Sequence, residues 1–279
     1  MADRNQAAYA RPSLVRYYGQ LHQLQPAEQG ILERLKDHLP AMAMLDIGVG
    51  GGRTTQHFWP RVGDYTGIDY SAEMIAACRA RLGCSGSTLA GSDLAAPPSA
   101  RAGLKAPNLA VMDARDLSAF TDHSFDLIWF SFNGLDYVSH ADRLQVLREV
   151  HRVGKPGAYF VFSSHNLRGI AQAFDYRLHL SFNPLSAYVD LVMWGLLRWF
   201  NRGIQMSDLA QSDHLILRDE SHNFALQTYY IHPAAQVEQL AFGFRPIEVY
   251  PWTQRHPVKS LEDPALASPL WLYYLCQVL

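Results

Sequence analysis

Four glycines, Gly48, Gly50, Gly51 and Gly52, follow a short apolar run (Met42, Met44, Leu45, Ile47) and lead into Arg53-Thr54-Thr55. Strand, glycine turn and helix open the nucleotide-binding unit of α/β folds, because a backbone without Cβ atoms can turn sharply and let a ligand approach. Twenty-one positions after Gly48, Asp69 closes a second strand-like run (Tyr65, Gly67, Ile68), where a carboxylate can accept hydrogen bonds from ribose hydroxyls. A third run, Leu109 to Met112, ends on Asp113. The dinucleotide fingerprint Gly-x-Gly-x-x-Gly would need its third glycine where Arg53 stands. The pattern suits a ligand that carries ribose and adenine without a pyrophosphate, its amino-acid portion lying along the glycine turn.

Proton acceptors for such a site belong at the carboxyl ends of strands. His165, following Ser163-Ser164, is the first candidate, because imidazole titrates near neutral pH. Asp136 and Tyr137, beyond the run Phe125 to Phe132, come next, then His222 and Tyr229 or Tyr230. Each could equally serve structure alone. His140 and His151 sit in a helical pattern and read as solvent-facing or packed, and Asp126 opens a buried strand and stays outside the site. Three cysteines (Cys78, Cys84, Cys276), odd in number and without paired ligand spacing, argue against a disulfide framework and a zinc site, so no metal is expected.

The elements that must position these residues alternate. Helical patterns cover Ser13 to Leu24 and Pro26 to Leu39, the second with Glu28 in its first turn and an apolar stripe of Ile31, Leu32 and Leu35. Tyr17 and Tyr18 on the first helix read as packing residues before ligand contacts. Arg53 to Trp59 predicts a short helix stopped by Pro60, and Ser71 caps a helix lined by Met74, Ile75, Cys78 and Leu82. Residues 83–107, rich in Gly, Ser, Ala and Pro, read as a surface loop. Phe125 to Phe132 is the strongest buried-strand run. Asn133-Gly134 turns the chain, and Ser139 with Asp142 caps a helix whose inner stripe is Val146, Leu147, Val150 and Val153. Gly154 to Gly157 reads as a sharp turn into a strand over 158–163. Between 166 and 223 the rhythm gives way to aromatics. Tyr188 to Phe200 is apolar, contains Asp190 and Arg198, and is too short to span a bilayer. It reads as a lid or interaction surface, or simply as packing. After Phe224 to Ile231, a helix over 233–242 and two late runs, Phe244 to Trp252 and Trp271 to Leu279, fit an antiparallel hairpin completing one edge of the sheet.

These segments carry a resemblance. Leu45-Asp46-Ile47-Gly48-Val49-Gly50-Gly51-Gly52 resembles the first motif of class I S-adenosylmethionine-dependent methyltransferases, and Gly67-Ile68-Asp69-Tyr70-Ser71 the second. Met112-Asp113-Ala114 resembles the segment framing adenine, Phe125-Asp126-Leu127-Ile128 the start of the fourth strand, and Arg148 to Gly157 the helix and turn before the fifth. The match covers about residues 40–165, with the late Tyr230 to Tyr250 region. The resemblance implies a doubly wound, mostly parallel seven-stranded α/β sheet of Rossmann-like kind, with an antiparallel edge strand and a helical lid insertion. It implies S-adenosylmethionine as cofactor, leaving as S-adenosylhomocysteine. Asp46, Gly48 and Gly50 would lie beside the methionine part, Asp69 at the ribose, Tyr70 and Met74 at the adenine, Asp113 with Ala114 at its exocyclic amine, and the strand end from Phe130 to Asn133 near the sulfonium. Gly51 fills a position often held by a larger residue, from which local flexibility is expected.

The expectation is one methyltransferase domain over 1–279: a helical segment (13–39), a cofactor-binding core (40–165), a lid or substrate insertion (166–223) and a completion of the sheet (224–279). The acceptor is expected to be a small organic molecule methylated on oxygen or nitrogen by in-line displacement. Tyr18, Asn133, Tyr137, His222 and Tyr229 are expected around it, and His165 and Asp136 as catalytic groups. The formal charge of −2, without blocks of like charge, speaks against nucleic acid. So does the fourth-strand end, which lacks the Asn-Pro-Pro-aromatic and Pro-Cys patterns of nucleic-acid enzymes. The polar start from Ala2 to Gln6 carries no signal-peptide pattern, and a cytoplasmic protein without a membrane span is expected. A homodimer through the insertion is a further expectation. The alternatives are a nicotinamide-dependent oxidoreductase, disfavoured by Arg53, and a non-catalytic S-adenosylmethionine-binding regulatory subunit.

Overall fold

The computed structural model of the protein describes residues 12–83, 105–174 and 183–279. Most of the stretch read as a surface loop, 84–104, lies outside them.

Strand β1 (Ala43–Ile47) forms from the first apolar run, with Met44, Leu45 and Ile47 buried. It lies between β2 (Asp64–Asp69) and β4 (Phe125–Phe130), parallel to both, and β3 (Asn108–Val111) flanks β2 in parallel. Near-continuous apolar runs are what strands covered on both faces require. β5 (Gly154–Asn166) extends the sheet in parallel beyond β4. The late hairpin follows as expected: β9 (Trp271–Val278) runs antiparallel to β5, and β8 (Phe244–Pro251) antiparallel to β9. The sequence β3-β2-β1-β4-β5-β9-β8 is thus the mostly parallel seven-stranded body. Two further strands, β6 (His214–Leu217) and β7 (Thr228–Ile231), pair with each other and attach through β7 to the last residues of β5, making nine in all.

The chain reverses its winding between β1 and β4, and the crevice at their carboxyl ends is where ligands of such sheets bind. Helices cover both faces. On one, α2 (Pro26–Leu35) contributes Ala27, Ile31 and Leu35, α3 (Thr55–Phe58) contributes Phe58, and α4 (Ala72–Leu82) contributes Ile75 and Cys78. On the other, α5 (His140–Val153) supplies the expected Val146, Leu147, Val150 and Val153, joined by Leu240 of α9 (Pro233–Leu240). Both caps read from sequence form: the hydroxyls of Ser71 and Ser139 accept from the backbone N–H of Met74 and Asp142. The insertion builds a third cluster from α6 (Leu167–Ala173), α7 (Pro184–Phe200), α8 (Met206–Gln211), β6 and β7.

Local differences have physical causes. The first helix, α1, spans Pro12–Gln20 and stops four residues short of expectation. Gly154 to Gly157 belong to β5, because a bulge opposite Phe125–Leu127 absorbs the extra residues and Gly157 takes a φ of 83°. At its other end β5 runs on to Asn166, so His165, paired with Trp271 of β9 and Tyr230 of β7, lies within the strand, not beyond it. Asp126 is structural: it accepts from the Ala43 N–H and pairs with Lys155.

Candidate active site

The glycine turn after β1 is held from below. The N–H groups of Gly48 and Val49 donate to the Ile68 carbonyl at 2.8 and 3.1 Å, and Gly48, Gly50 and Gly52 have φ values of 70°, 52° and 83°. Left-handed backbone of this kind strains any residue with a Cβ. Asp69, at the end of β2, accepts from the Gly50 N–H and the Ser71 N–H, each at 2.9 Å. Burial raises its pKa, and those two donors oppose the rise. Two oxygens fixed by backbone donors leave lone pairs that can accept from a diol.

One cavity gathers Gly48, Val49, Gly50 and Gly51 with Asp69, Tyr70, Met74, Met112, Asp113, Ala114, Phe130, Phe132, Tyr18 and Tyr137. It unites most of the residues expected around the cofactor. Asp113 lines it too, but its carboxylate is gripped by the Arg115 guanidinium at 2.7–3.1 Å. Burial pushes the Asp113 carboxyl up, and Arg115 more than reverses it.

Asp46 is the first correction. It does not line the cavity; its Oδ2 accepts from the Thr54 and Tyr65 hydroxyls at 2.5 and 2.6 Å behind the glycine turn. Burial pushes its pKa up to about 7 against the pull of those donors. Gly51 is the second. A Cβ there would lie 2.8 Å from Gly19 Cα and 3.1 Å from the Tyr18 carbonyl carbon. The glycine admits α1 onto the turn, and tight packing stands where flexibility is expected. The Arg81 guanidinium also donates to the Gly19 carbonyl.

Sequence reasoning missed the buried pair next to this turn. Arg53 donates to both oxygens of Glu28, to Ser131 Oγ at 3.1 Å and to the Gln23 carbonyl at 3.3 Å, while its guanidinium lies 4.7 Å from the centre of the Phe132 ring. Tyr273 of β9 adds a hydroxyl to Glu28 at 3.0 Å. Burial alone would raise the Glu28 pKa, but Arg53 holds it below the usual carboxylate range. An arginine in place of the third glycine was the signal that a carboxylate must be near. Phe132, within the Phe130 to Asn133 strand end expected near the sulfonium, has a φ of 59° and Asn133 one of 61°. Two successive left-handed residues aim the Phe132 ring between Tyr18 and Trp271, at 6.2 Å from each.

His165 and Asp136 do come together, behind the cavity wall rather than in it. Asp136 Oδ2 accepts from His165 Nδ1 at 2.7 Å and from the His165 N–H at 2.6 Å. Its Oδ1 takes the Ser164 hydroxyl and the buried Arg143, which also reaches Gln236. On the other side of the ring, His165 Nε2 lies 3.4 Å from Asn133 Nδ2. Among the described residues, Asn133 Oδ1 is buried without a donor. The Tyr137 ring, which lines the cavity, packs edge-on against His165 at 6.2 Å. Tyr229 is drawn elsewhere: it is buried, hydrogen-bonded to His140 at 2.7 Å and covered by Arg143. The His222 side chain lies outside the described residues. No metal-binding cluster of His, Cys, Asp and Glu occurs among the described residues.

Residues 45–162 match the methyltransferase domain family. No curated protein sequence matches the chain. Among solved structures, the chain is similar to an S-adenosylmethionine-dependent methyltransferase from Mesorhizobium loti, with 19% identity, a TM-score of 0.57, and 90% of this chain and 97% of that one covered. It is similar to one from Clostridium acetobutylicum, with 15% identity, a TM-score of 0.55 and 98% of each chain covered. It is also similar to the 1,6-didemethyltoxoflavin-N1-methyltransferase of Burkholderia thailandensis, solved with S-adenosylhomocysteine, with 13% identity, a TM-score of 0.57, and 99% and 87% covered. These likenesses establish the fold, and the domain match falls on the strands and turns that build the cavity. The glycine turn, with a carboxylate anchored across it, fits a ribose-bearing cofactor. Over residues 45–162 the chain thus carries a match to the methyltransferase domain, on a fold shared with S-adenosylmethionine-dependent methyltransferases.

Proposed function

We propose that the enzyme methylates a nitrogen or oxygen of a small, planar organic acceptor bound between Phe132, Tyr18 and Tyr137. The observation that carries this reading is the Phe132–Asn133 pair. Left-handed backbone at two bulky residues in a row is costly, of the order of 1–3 kcal/mol each, and persists where it serves a site. Its effect is to bring the Phe132 ring to the cavity, beside the end of β4, between Tyr18 and Trp271. An aromatic or heteroaromatic ring would stack there. The resemblance to an N1-methyltransferase of 1,6-didemethyltoxoflavin favours nitrogen.

When bound, S-adenosylmethionine would supply an electrophilic methyl on a sulfonium for transfer to the acceptor lone pair, the carbon–sulfur pair staying on sulfur and any acceptor proton passing to solvent. In our reading Gly48 and Gly50 cradle the methionine part, Asp69 holds the ribose hydroxyls, and Tyr70, Met74, Asp113 and Ala114 surround the adenine. Phe130 closes the floor towards the sulfonium. For an in-line displacement most of the acceleration comes from alignment, which these walls would provide. We assign His165 and Asp136 to the wall: Asp136 fixes the tautomer, and His165 steadies Asn133 and Tyr137 against the acceptor.

The proposal extends to a single domain working in the cytoplasm on a small molecule, not on nucleic acid. Among the described residues, no helix is long and apolar enough to cross a membrane. The test is a methyl-labelled S-adenosylmethionine assay against pools of N-heteroaromatic and phenolic compounds, with DNA, tRNA and protein pools beside them. Label in the small-molecule fraction is expected. Label confined to nucleic acid or protein would overturn the reading. His165→Ala should lower turnover far more than cofactor affinity, and equal activity would remove it from the wall.

A further inference from the structure

Helix α7 is anchored by one face only. Leu197 is buried, the Trp194 indole donates to the Phe174 carbonyl at 3.0 Å, and Arg198 lies over the Phe174 ring at 5.6 Å and donates to the Ile204 carbonyl. The opposite face carries Leu185, Val189, Val192, Leu196 and Trp199, spaced four, three, four and three residues apart. With the flanking Tyr188, Leu191 and Phe200 these side chains are 37% to 72% exposed. The only charged residues of the helix are Asp190 and Arg198, and both are off this stripe.

We propose that α7 is the interface of a two-fold symmetric homodimer, in which it packs antiparallel against α7 of a second copy with Val192 near the axis. Three features on the page select this occupant. The alternating four–three spacing is the seam that a partner helix fills with knobs-into-holes packing. Eight large apolar side chains exposed by about half leave roughly 700 Å2 of surface, beyond what a monomer usually shows and close to the ~800 Å2 per partner of a standard interface. The stripe is also self-complementary: with its middle residue on the axis, Leu185 of one copy faces Trp199 of the other, and Val189 faces Leu196, an isologous contact. A membrane surface is the poorer occupant. Helices that lie on bilayers carry Lys and Arg along their polar face, whereas α7 has a single arginine, already engaged inside the protein. The pairing does not depend on the acceptor reading.

The experiment is sedimentation velocity of the full chain over a dilution series, beside Val192→Asp, with co-sedimentation on phosphatidylcholine–phosphatidylglycerol vesicles. The wild type should be a dimer, and a charge set into the seam should raise the dimer dissociation constant at least about 100-fold. Far-UV circular dichroism and S-adenosylhomocysteine binding should not change, because Val192 touches no part of the cavity. In a chain carrying Cys84→Ser, with Cys78 and Cys276 buried, Val192→Cys should be joined to its counterpart by a bis-maleimide. Three results would each overturn the proposal: a monomer at every concentration, whether or not it binds vesicles; a dimer indifferent to Val192→Asp; or a dimer that the Val192→Cys reagent does not join.

Discussion

Gly51→Ala tests how the site is closed. The residue has no positive φ, so alanine costs nothing in backbone conformation, and the only change is one methyl group. That methyl would stand 2.8 Å from Gly19 Cα and 2.9 Å from the Gly19 nitrogen, against a comfortable carbon–carbon separation of about 3.5–4.0 Å. Both atoms are backbone of α1, so no rotamer change relieves the clash and the helix must retreat by about 1 Å. Overpacking of this kind costs about 1–3 kcal/mol. Retreat would also loosen the Arg81 bond to the Gly19 carbonyl and lift Tyr18 from Phe132. If α1 closes over bound cofactor, the loss appears in binding, as a rise of roughly five- to 150-fold in the dissociation constant. Isothermal titration with S-adenosylhomocysteine measures it. The decisive control is a chain lacking residues 1–20, in which the same substitution should change nothing further. A full-length variant within twofold of wild type, or an equal loss in the truncated chain, would refute the argument that α1 is what Gly51 accommodates.

Asp69→Ala should weaken S-adenosylmethionine at least tenfold by calorimetry while circular dichroism stays unchanged, since charge-assisted hydrogen bonds are worth about 1.5–3 kcal/mol each; an unchanged constant would remove Asp69 from the ribose. Asp46 holds its proton to about pH 7 in the fold but only to about 4 when unfolded, so the folded state binds more protons in between, and stability should fall as pH rises through that window. The fall amounts to about 4 kcal/mol at most, and Asp46→Asn should abolish it; denaturation midpoints at pH 5 and 8 that shift equally in both proteins would contradict this. Glu28→Gln leaves Arg53 buried without its carboxylate and should cost about 3–5 kcal/mol in urea unfolding, with a loss below about 1 kcal/mol counting against the pair as a fixed element.

The repeating part of the molecule was legible because its signals are local. An apolar run, a glycine turn and a capping serine each constrain a few adjacent residues, and β1, β2, β4, α4 and α5 formed where those signals stood. The cavity wall was legible at Gly48, Gly50, Asp69, Tyr70, Met74 and Asp113 for the same reason, each standing at the end of a strand or the start of a helix. What was not legible depends on distant partners. Asp46 reads as a ligand-side acid until Tyr65 and Thr54 are seen to consume its oxygen, and Gly51 reads as slack until Gly19 is seen against it. His165 carries the right chemistry, but pairing with Trp271 and Tyr230 carries β5 past it and the strand buries it. β6 escaped notice because a four-residue strand barely rises above background in an aromatic-rich insertion, whereas β7 falls in the Phe224 to Ile231 run.

The contact of Tyr273 with Glu28 joins positions 245 residues apart. β9 delivers Tyr273 and, among the described residues, is the strand that ties β8 to the sheet. Contacts of such sequence separation form slowly, so β1 to β5 can assemble before the carboxylate that orders Arg53 and the Phe132 face gains the Tyr273 donor. Closure of the site thereby belongs to the late, long-range part of folding. A variant cut before Trp271 would keep the whole glycine turn and still lack the strand that fastens it.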